Sequence, residues 1–250
     1  MPDEAVVVMR RPGPGITELV LQDRENKNLF SAQLVEGLIT AFDLIAQDLD
    51  CRVVIMTGYD SYFLSGGTQE RLLAFSEGHG TFSDSRLYSL PLFCPVPVIS
   101  AMQGHGIGGG FVLGLFADVI VLSRESVYTT NFMKYGFTPG MGATCVLPRK
   151  LGLVLAEEML FSARNYRGAE LESRGVPLLV VPRVEVLERA REIACDIADK
   201  PRLSLVSVKN ELVSSLREEL PKTIEREVAL HQLTFPKLQV RDRIQKSFGR

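Results

Sequence analysis

Gly104-His105-Gly106-Ile107-Gly108-Gly109-Gly110 lies between two apolar runs, residues 96–102 and 111–117. Three consecutive glycines where a strand gives way to a helix let the backbone approach a ligand closely. They also place the unpaired N–H groups of a helix start, with their partial positive charge, at the same point. Such a turn stabilises an anion or serves as a tight connection packed against its neighbour. A second glycine pair, Gly66-Gly67, follows an apolar strand at residues 52–58 and precedes a helix. One N–H from Gly67 and one from Gly109, aimed at a single oxygen, would stabilise a thioester enolate.

Other chemistries are less well supplied. Gly104-x-Gly106-x-x-Gly109 matches a dinucleotide-binding pattern formally. That pattern belongs after the first strand of its fold, with an acidic residue closing the next strand, and here the next strand ends at Leu122-Ser123-Arg124. No Gly-x-Ser-x-Gly elbow is present, and no cysteine adjoins a histidine, so covalent catalysis lacks its nucleophile. Histidines at 79, 105 and 231 do not have metal-ligand spacing, so no metal is expected. His105, held between two glycines, reads as a ring that supports the turn by hydrogen bonding to backbone.

The chain has 250 residues, 46% hydrophobic and 23% charged, enough for a sizeable core. Its net charge of −2 gives no case for nucleic acid. The charge is uneven: residues 201–250 hold 10 Lys/Arg against 6 Asp/Glu, a basic region that could attract an acidic partner or form a solvated helical face. Cys51, Cys94, Cys145 and Cys195 are far apart in apolar or helical contexts and read as reduced core residues. With no signal-like segment and no apolar run long enough to span a bilayer, a cytoplasmic protein is expected.

Residues 5–9 and 16–21 read as an antiparallel strand pair joined by residues 10–15. Ser31 is placed to cap a helix carrying Leu34, Leu38, Phe42 and Ile45 at helical spacing. Nearly continuous apolar strands at 52–58, 96–102 and 118–123 suit a sheet covered on both faces. Residues 76–86 are small and polar, a loop over a site or a plain connection. Gly136 to Gly142 forms a turn cluster, and helices are expected at 153–162, 167–174, 184–199, 202–216 and 221–236, with 177–181 strand-like. A sheet-containing core over residues 1–180 and a helical region over 181–250 result.

Phe63-Leu64-Ser65-Gly66-Gly67-Thr68, Pro97-Val98-Ile99 through Gly108-Gly109-Gly110, and the Gly136 to Gly142 turn together resemble the crotonase (enoyl-CoA hydratase/isomerase) superfamily. The resemblance covers essentially the whole chain. It implies an α/β fold, the crotonase spiral of β-β-α turns with a C-terminal helical trimerisation region. It also implies an oxyanion hole formed by the N–H groups of Gly67 and Gly109, and a homotrimer.

Hydratases of that family carry two glutamates that position and activate water, and the corresponding residues here are Val112 and Phe132. Without carboxylates, hydration has no base, and a reaction that forms an enolate without one is favoured. Decarboxylation is such a reaction. Residues 65–70, 101–111 and 131–144 more closely resemble the second enoyl-CoA-hydratase-like enzyme of polyketide β-branching cassettes. That resemblance implies decarboxylation of a 3-methylglutaconyl-type thioester on the phosphopantetheine of an acyl carrier protein, with no other cofactor. The family's C-terminal histidine falls on His231, which is implied as proton donor; on residue pattern alone it is a packed or surface histidine. The family's loop lysine falls on Thr81, so the cation opposite the departing carboxylate is open among His79, Lys134 and Arg71. Alternatives are an ordinary enoyl-CoA hydratase or isomerase, and a non-catalytic acyl-thioester-binding scaffold of a synthase complex.

Overall fold

The computed structural model describes residues 5–249. In chain order the first half comprises β1 (Val7–Gly13), β2 (Ile16–Leu21), α1 (Ala32–Gln47), β3 (Val53–Thr57), β4 (Tyr62–Leu64), α2 (Gln69–Ser76), α3 (Leu90–Phe93), β5 (Val98–Met102), β6 (His105–Ile107) and α4 (Gly109–Leu115). The second half comprises β7 (Val119–Ser123), β8 (Val127–Thr129), α5 (Phe132–Tyr135), α6 (Ala143–Leu151), α7 (Leu153–Ser162), β9 (Tyr166–Arg167), α8 (Gly168–Ser173), β10 (Leu179–Val181), α9 (Val186–Ala198), α10 (Arg202–Thr234) and α11 (Leu238–Ser247).

Two sheets result. The larger has strand order β1-β2-β3-β5-β7-β10, parallel except for the β1–β2 hairpin; the smaller has order β4-β6-β8-β9. Each turn of the spiral thus gives one strand to each sheet: β3 with β4, β5 with β6, β7 with β8. This placement decides the site. Because β4 and β6 are parallel neighbours, with Tyr62 opposite His105 and Leu64 opposite Gly106, the glycine turns that follow them emerge side by side.

The inner strands β3, β5 and β7 of the large sheet are almost entirely apolar because both faces are covered, whereas the edge strand β1 carries exposed Arg10 and Arg11. On one face Val53, Ile55, Ile99, Ala101 and Val121 pack against Val186, Ala190 and Ala194 of α9. On the other, Val54, Met56, Val98 and Met102 join the main core with α1 and α4. Cys51, Cys94 and Cys145 are buried, and burial pushes the Cys94 and Cys145 thiols up to about 11 and about 12. Cys195, expected in the core, is exposed: it lies on the solvent side of α9, whose small alanines face the sheet.

Ser31 caps α1 as expected, accepting the Leu34 N–H at 3.1 Å, and its hydroxyl donates to Asp23 at 2.6 Å. Ser31→Ala is expected to cost about 1 kcal/mol, read as a lower denaturant midpoint at unchanged slope. Two expectations are corrected. Strand β1 runs on through Gly13, so the hairpin turn contracts to Pro14 and Gly15, where Gly15 takes φ +74°. The helices expected at 202–216 and 221–236 are one continuous helix, α10, with Pro221 inside it. Proline lacks an N–H and often starts a helix. Here Leu216, Leu220, Ile224, Glu227 and His231 form one buried stripe across it, and that packing outweighs the lost hydrogen bond.

Candidate active site

The first glycine turn is held from below by Asn28. Its buried side-chain amide donates to the carbonyls of Leu21 and Phe63, both at 2.9 Å, and accepts the Asp23 N–H at 2.8 Å. The chain after β4 then runs along Asn28 to Phe30: Ser65 N–H donates to Asn28 O at 2.9 Å, and Phe30 N–H to Gly66 O at 2.7 Å. Gly66 has φ +82°, and a Cβ there would stand 2.8 Å from the Ile107 carbonyl. Glycine is required both by conformation and by space.

In the second turn, Gly108 has φ +53° and its N–H donates to Thr129 O at 2.8 Å, fastening the turn to β8. Gly109 opens α4, so its N–H has no acceptor within the helix. A Cβ on Gly66 would lie 3.6 Å from Gly109 N, and one on Gly110 would overlap the Leu64 carbonyl, so the two turns pack backbone to backbone. Among the described residues, neither Gly67 N–H nor Gly109 N–H donates to another protein group.

Both glycines line a cavity of about 380 Å³ at the carboxyl ends of the small sheet's strands. Leu72, Phe82, Phe132 and Phe137 give it apolar walls, and Lys27 and Lys134 are the cations among its described lining residues. No aspartate or glutamate among the described residues lines it. Met141 forms its floor. This residue takes φ +62°, unusual for a branched-free apolar side chain, and its sulfur seats where a Cβ on Gly109 would be.

His231 lies in a second cavity of about 220 Å³, with Phe75, Thr81, Phe82 and Phe235. Phe82 borders both cavities, and its ring centroid is 5.1 Å from that of His231. The His231 ring is buried, and its Nε2 donates to Thr138 O at 2.9 Å; since a carbonyl can only accept, Nε2 carries the proton. Burial holds the imidazole below its ordinary 6.5, although the carbonyls of Thr138 and Pro139 favour the charged form. Gly140 is pressed against the ring: a Cβ there would stand 2.5 Å from Cε1.

The residues singled out by sequence are distributed as follows. Gly67, Gly109, Phe132 and Lys134 meet in the larger cavity, whereas His231 and Thr81 share the smaller one. Thr81 spends its hydroxyl on Asp84 at 2.7 Å and Ser83 at 2.8 Å. Val112 is fully buried in α4 and is not part of either lining. His79 is exposed, 4.0 Å from Glu77, and lines neither cavity. Arg71 borders a small space of about 30 Å³ beside Gly67. His105 accepts the Val127 N–H at Nδ1, 2.9 Å away, in the turn-supporting role its glycine neighbours suggest. Sequence reasoning missed Asn28, Phe82 and Met141. Of these only Phe82 had a signal, as the one large apolar residue in a polar loop.

A family model described as enoyl-CoA hydratase/isomerase matches residues 12–248. The chain belongs to that family. Within the enoyl-CoA hydratase/isomerase family, the bacillaene synthase decarboxylase PksI of Bacillus subtilis is 57% identical over 234 residues, 94% of each chain. The carnitinyl-CoA dehydratase of Salmonella typhimurium is 31% identical over 208 residues, 80% of this chain and 77% of its own. Among solved structures, one from a dehydratase/decarboxylase enzyme couple of polyketide β-branching superposes with TM-score 0.97 at 56% identity, covering 98% of this chain and 100% of that one. The ECH2 decarboxylase domain of CurF from Lyngbya majuscula gives 0.94 at 44% identity, with coverage of 98% and 100%.

Proposed function

We propose that this chain is a decarboxylase of polyketide β-branching, acting on a 3-methylglutaconyl-type thioester carried on the phosphopantetheine of an acyl carrier protein. The observation that carries this is a cavity with two free backbone donors and no carboxylate among its described lining residues. It can hold an oxyanion but has no base with which to activate water. The decarboxylases among its relatives, at 57% and 44% identity, and the 56%-identical structure from a dehydratase/decarboxylase couple of polyketide β-branching support the same reading.

The thioester oxygen is held by the N–H groups of Gly67 and Gly109. The bond from the γ-carbon to the carboxylate breaks, carbon dioxide leaves, and its electron pair spreads through the double bond onto that oxygen as a dienolate. Apolar walls disfavour the carboxylate and the neutral product leaves more easily. Lys134 or Lys27 supplies the cation near the carboxylate before it departs. His231 then returns one proton, at the γ-carbon for an α,β-unsaturated product or at the α-carbon for a β,γ-unsaturated one. No cofactor is needed, because the thioester itself takes the electrons. A homotrimer belongs to the same proposal, supported by Leu153, Val154 and Phe161 left exposed on α7. No helix among the described residues is long and apolar enough to cross a membrane.

Incubation with the loaded carrier should release carbon dioxide and shorten the acyl arm by its carboxyl group, read by mass spectrometry. Addition of water without that loss would overturn the assignment. The pH dependence has a definite sign. A donor imidazole held below 6.5 is neutral at neutral pH, so its charged form, and with it kcat/KM, should grow as pH falls from about 8 to 5. The same depressed value means the unfolded chain takes up the proton first, so stability contributed at this site falls over that window. A profile that falls on acidification through an apparent pKa above 6.5 would contradict a His231 donor.

A further inference from the structure

Glu227 stands one helical turn before His231 on α10 and is 2% exposed. Its Oε2 accepts the Gly142 N–H at 2.7 Å, and its Oε1 accepts the Thr144 N–H at 3.0 Å and the Thr144 hydroxyl at 2.6 Å. All three donors belong to one turn at the start of α6, where converging N–H groups make a concavity suited to an anion. Burial raises the carboxyl's affinity for its proton, and the three donors oppose this by favouring the charged form.

The same turn touches both halves of the site. At its near end the Thr138 carbonyl holds His231, and Gly140 presses on the ring. In its middle, Met141 and Gly142 are both left-handed, with φ +62° and +78°. That conformation lays the Met141 sulfur against Gly109. A left-handed methionine is strained unless its surroundings fix it. Two groups on α10 fix it: Glu227 clamps the residues immediately after Met141, and His231 the residues before Gly140. One helix therefore grips one turn at two points, four residues apart on the helix.

We propose that Glu227 is a positioning residue of the reaction: by locking the Met141-Gly142 turn it sets the cradle floor and His231 relative to one another, and so decides which carbon of the dienolate receives the proton. This rests on the decarboxylase reading above. The α- and γ-carbons are two bonds apart, and a misplacement of about 1 Å can cost about 10²-fold in rate. A shift in the turn therefore changes the product as well as the speed.

Glu227→Gln tests it at nearly constant volume. Both oxygens now accept backbone N–H groups, so a glutamine must turn its NH₂ towards Gly142 N–H or towards Thr144 N–H, whichever way it is flipped. With the loaded carrier in D₂O, the variant should keep KM within about threefold, lose roughly 10- to 100-fold in kcat, and shift the ratio of α- to γ-deuterated product. Thr144→Val, which removes the hydroxyl donor and leaves the carboxyl in place, should shift the ratio in the same direction by less. A folded Glu227→Gln protein that retains the native product ratio overturns the proposal, whatever its rate. Should that variant fail to fold, as judged by circular dichroism, a native ratio in Thr144→Val overturns it instead. If the unaltered protein releases no carbon dioxide, the decarboxylase reading has failed; if it does and the ratios stay native, only the role of Glu227 has.

Discussion

His231→Ala is expected to slow turnover of the carrier-bound substrate by about 10²–10⁴, the usual contribution of a positioned general acid. The loss should fall on kcat, because the imidazole lines a cavity separate from the glycine-lined one proposed to hold the acyl chain. In the free protein the donor is not yet in line. Nε2 is engaged with Thr138 O, and the Phe82 ring stands between the two cavities. On the proposed mechanism, substrate displaces Phe82 before the dienolate meets the proton. Phe82 lies on a short 3₁₀ turn, Phe82–Asp84, in the segment joining α2 to α3, and is only partly buried, so its displacement breaks no strand or long helix. His231→Gln sharpens the test: its amide can still donate to a carbonyl but supplies no proton at neutral pH. Both variants should therefore be slow, and both should take their proton from solvent, with the native preference between carbons eroded. Equal turnover by His231→Gln and the unaltered protein would remove the histidine from the chemistry.

The sequence showed some of these features because local rules are sufficient for them. Gly66 and Gly108 are left-handed, which nearly restricts the position to glycine, and a strand-glycine-helix succession leaves few alternatives. Ser31 announces α1 through a bond spanning three residues. Burial on both faces makes strands β3, β5 and β7 almost continuously apolar, and that too is local. The route by which Asn28 supports the cradle is not local, because it joins carbonyls of Leu21 and Phe63 that are brought together only when β2 and β4 are in place. Met141 was legible only as part of a turn, since methionine has no preference for φ +62° and is held there by contacts from α10. The separation of His231 from the glycines is likewise decided by a 33-residue helix that sequence divides at Pro221. Thr81, aligned with a family lysine, turned out to close its own 3₁₀ turn with Asp84.

The cradle itself yields the second large effect. Gly66→Ala is expected to lower kcat by about 10²–10³, comparable to loss of one oxyanion-hole donor. Two causes act together. Alanine at φ +82° is strained, by about 1–2 kcal/mol. Its methyl would also lie 2.8 Å from the Ile107 carbonyl, which is backbone of β6 and cannot rotate away. Relief comes only by moving β4's end from β6's end, and those ends carry Gly67 and Gly109. A single methyl thus separates the two N–H groups that must converge on one oxygen, without touching either residue. Gly152→Ala separates strain from geometry: φ is +83° there, but nothing lies within 4 Å of the added carbon. With ψ at 150° the position is nearly exclusive to glycine, so that control should lose about 1–3 kcal/mol of stability and keep its activity. If Gly66→Ala binds an unreactive thioester analogue and decarboxylates as fast as the Gly152→Ala protein, the convergence of the two glycines is not what makes the dienolate accessible.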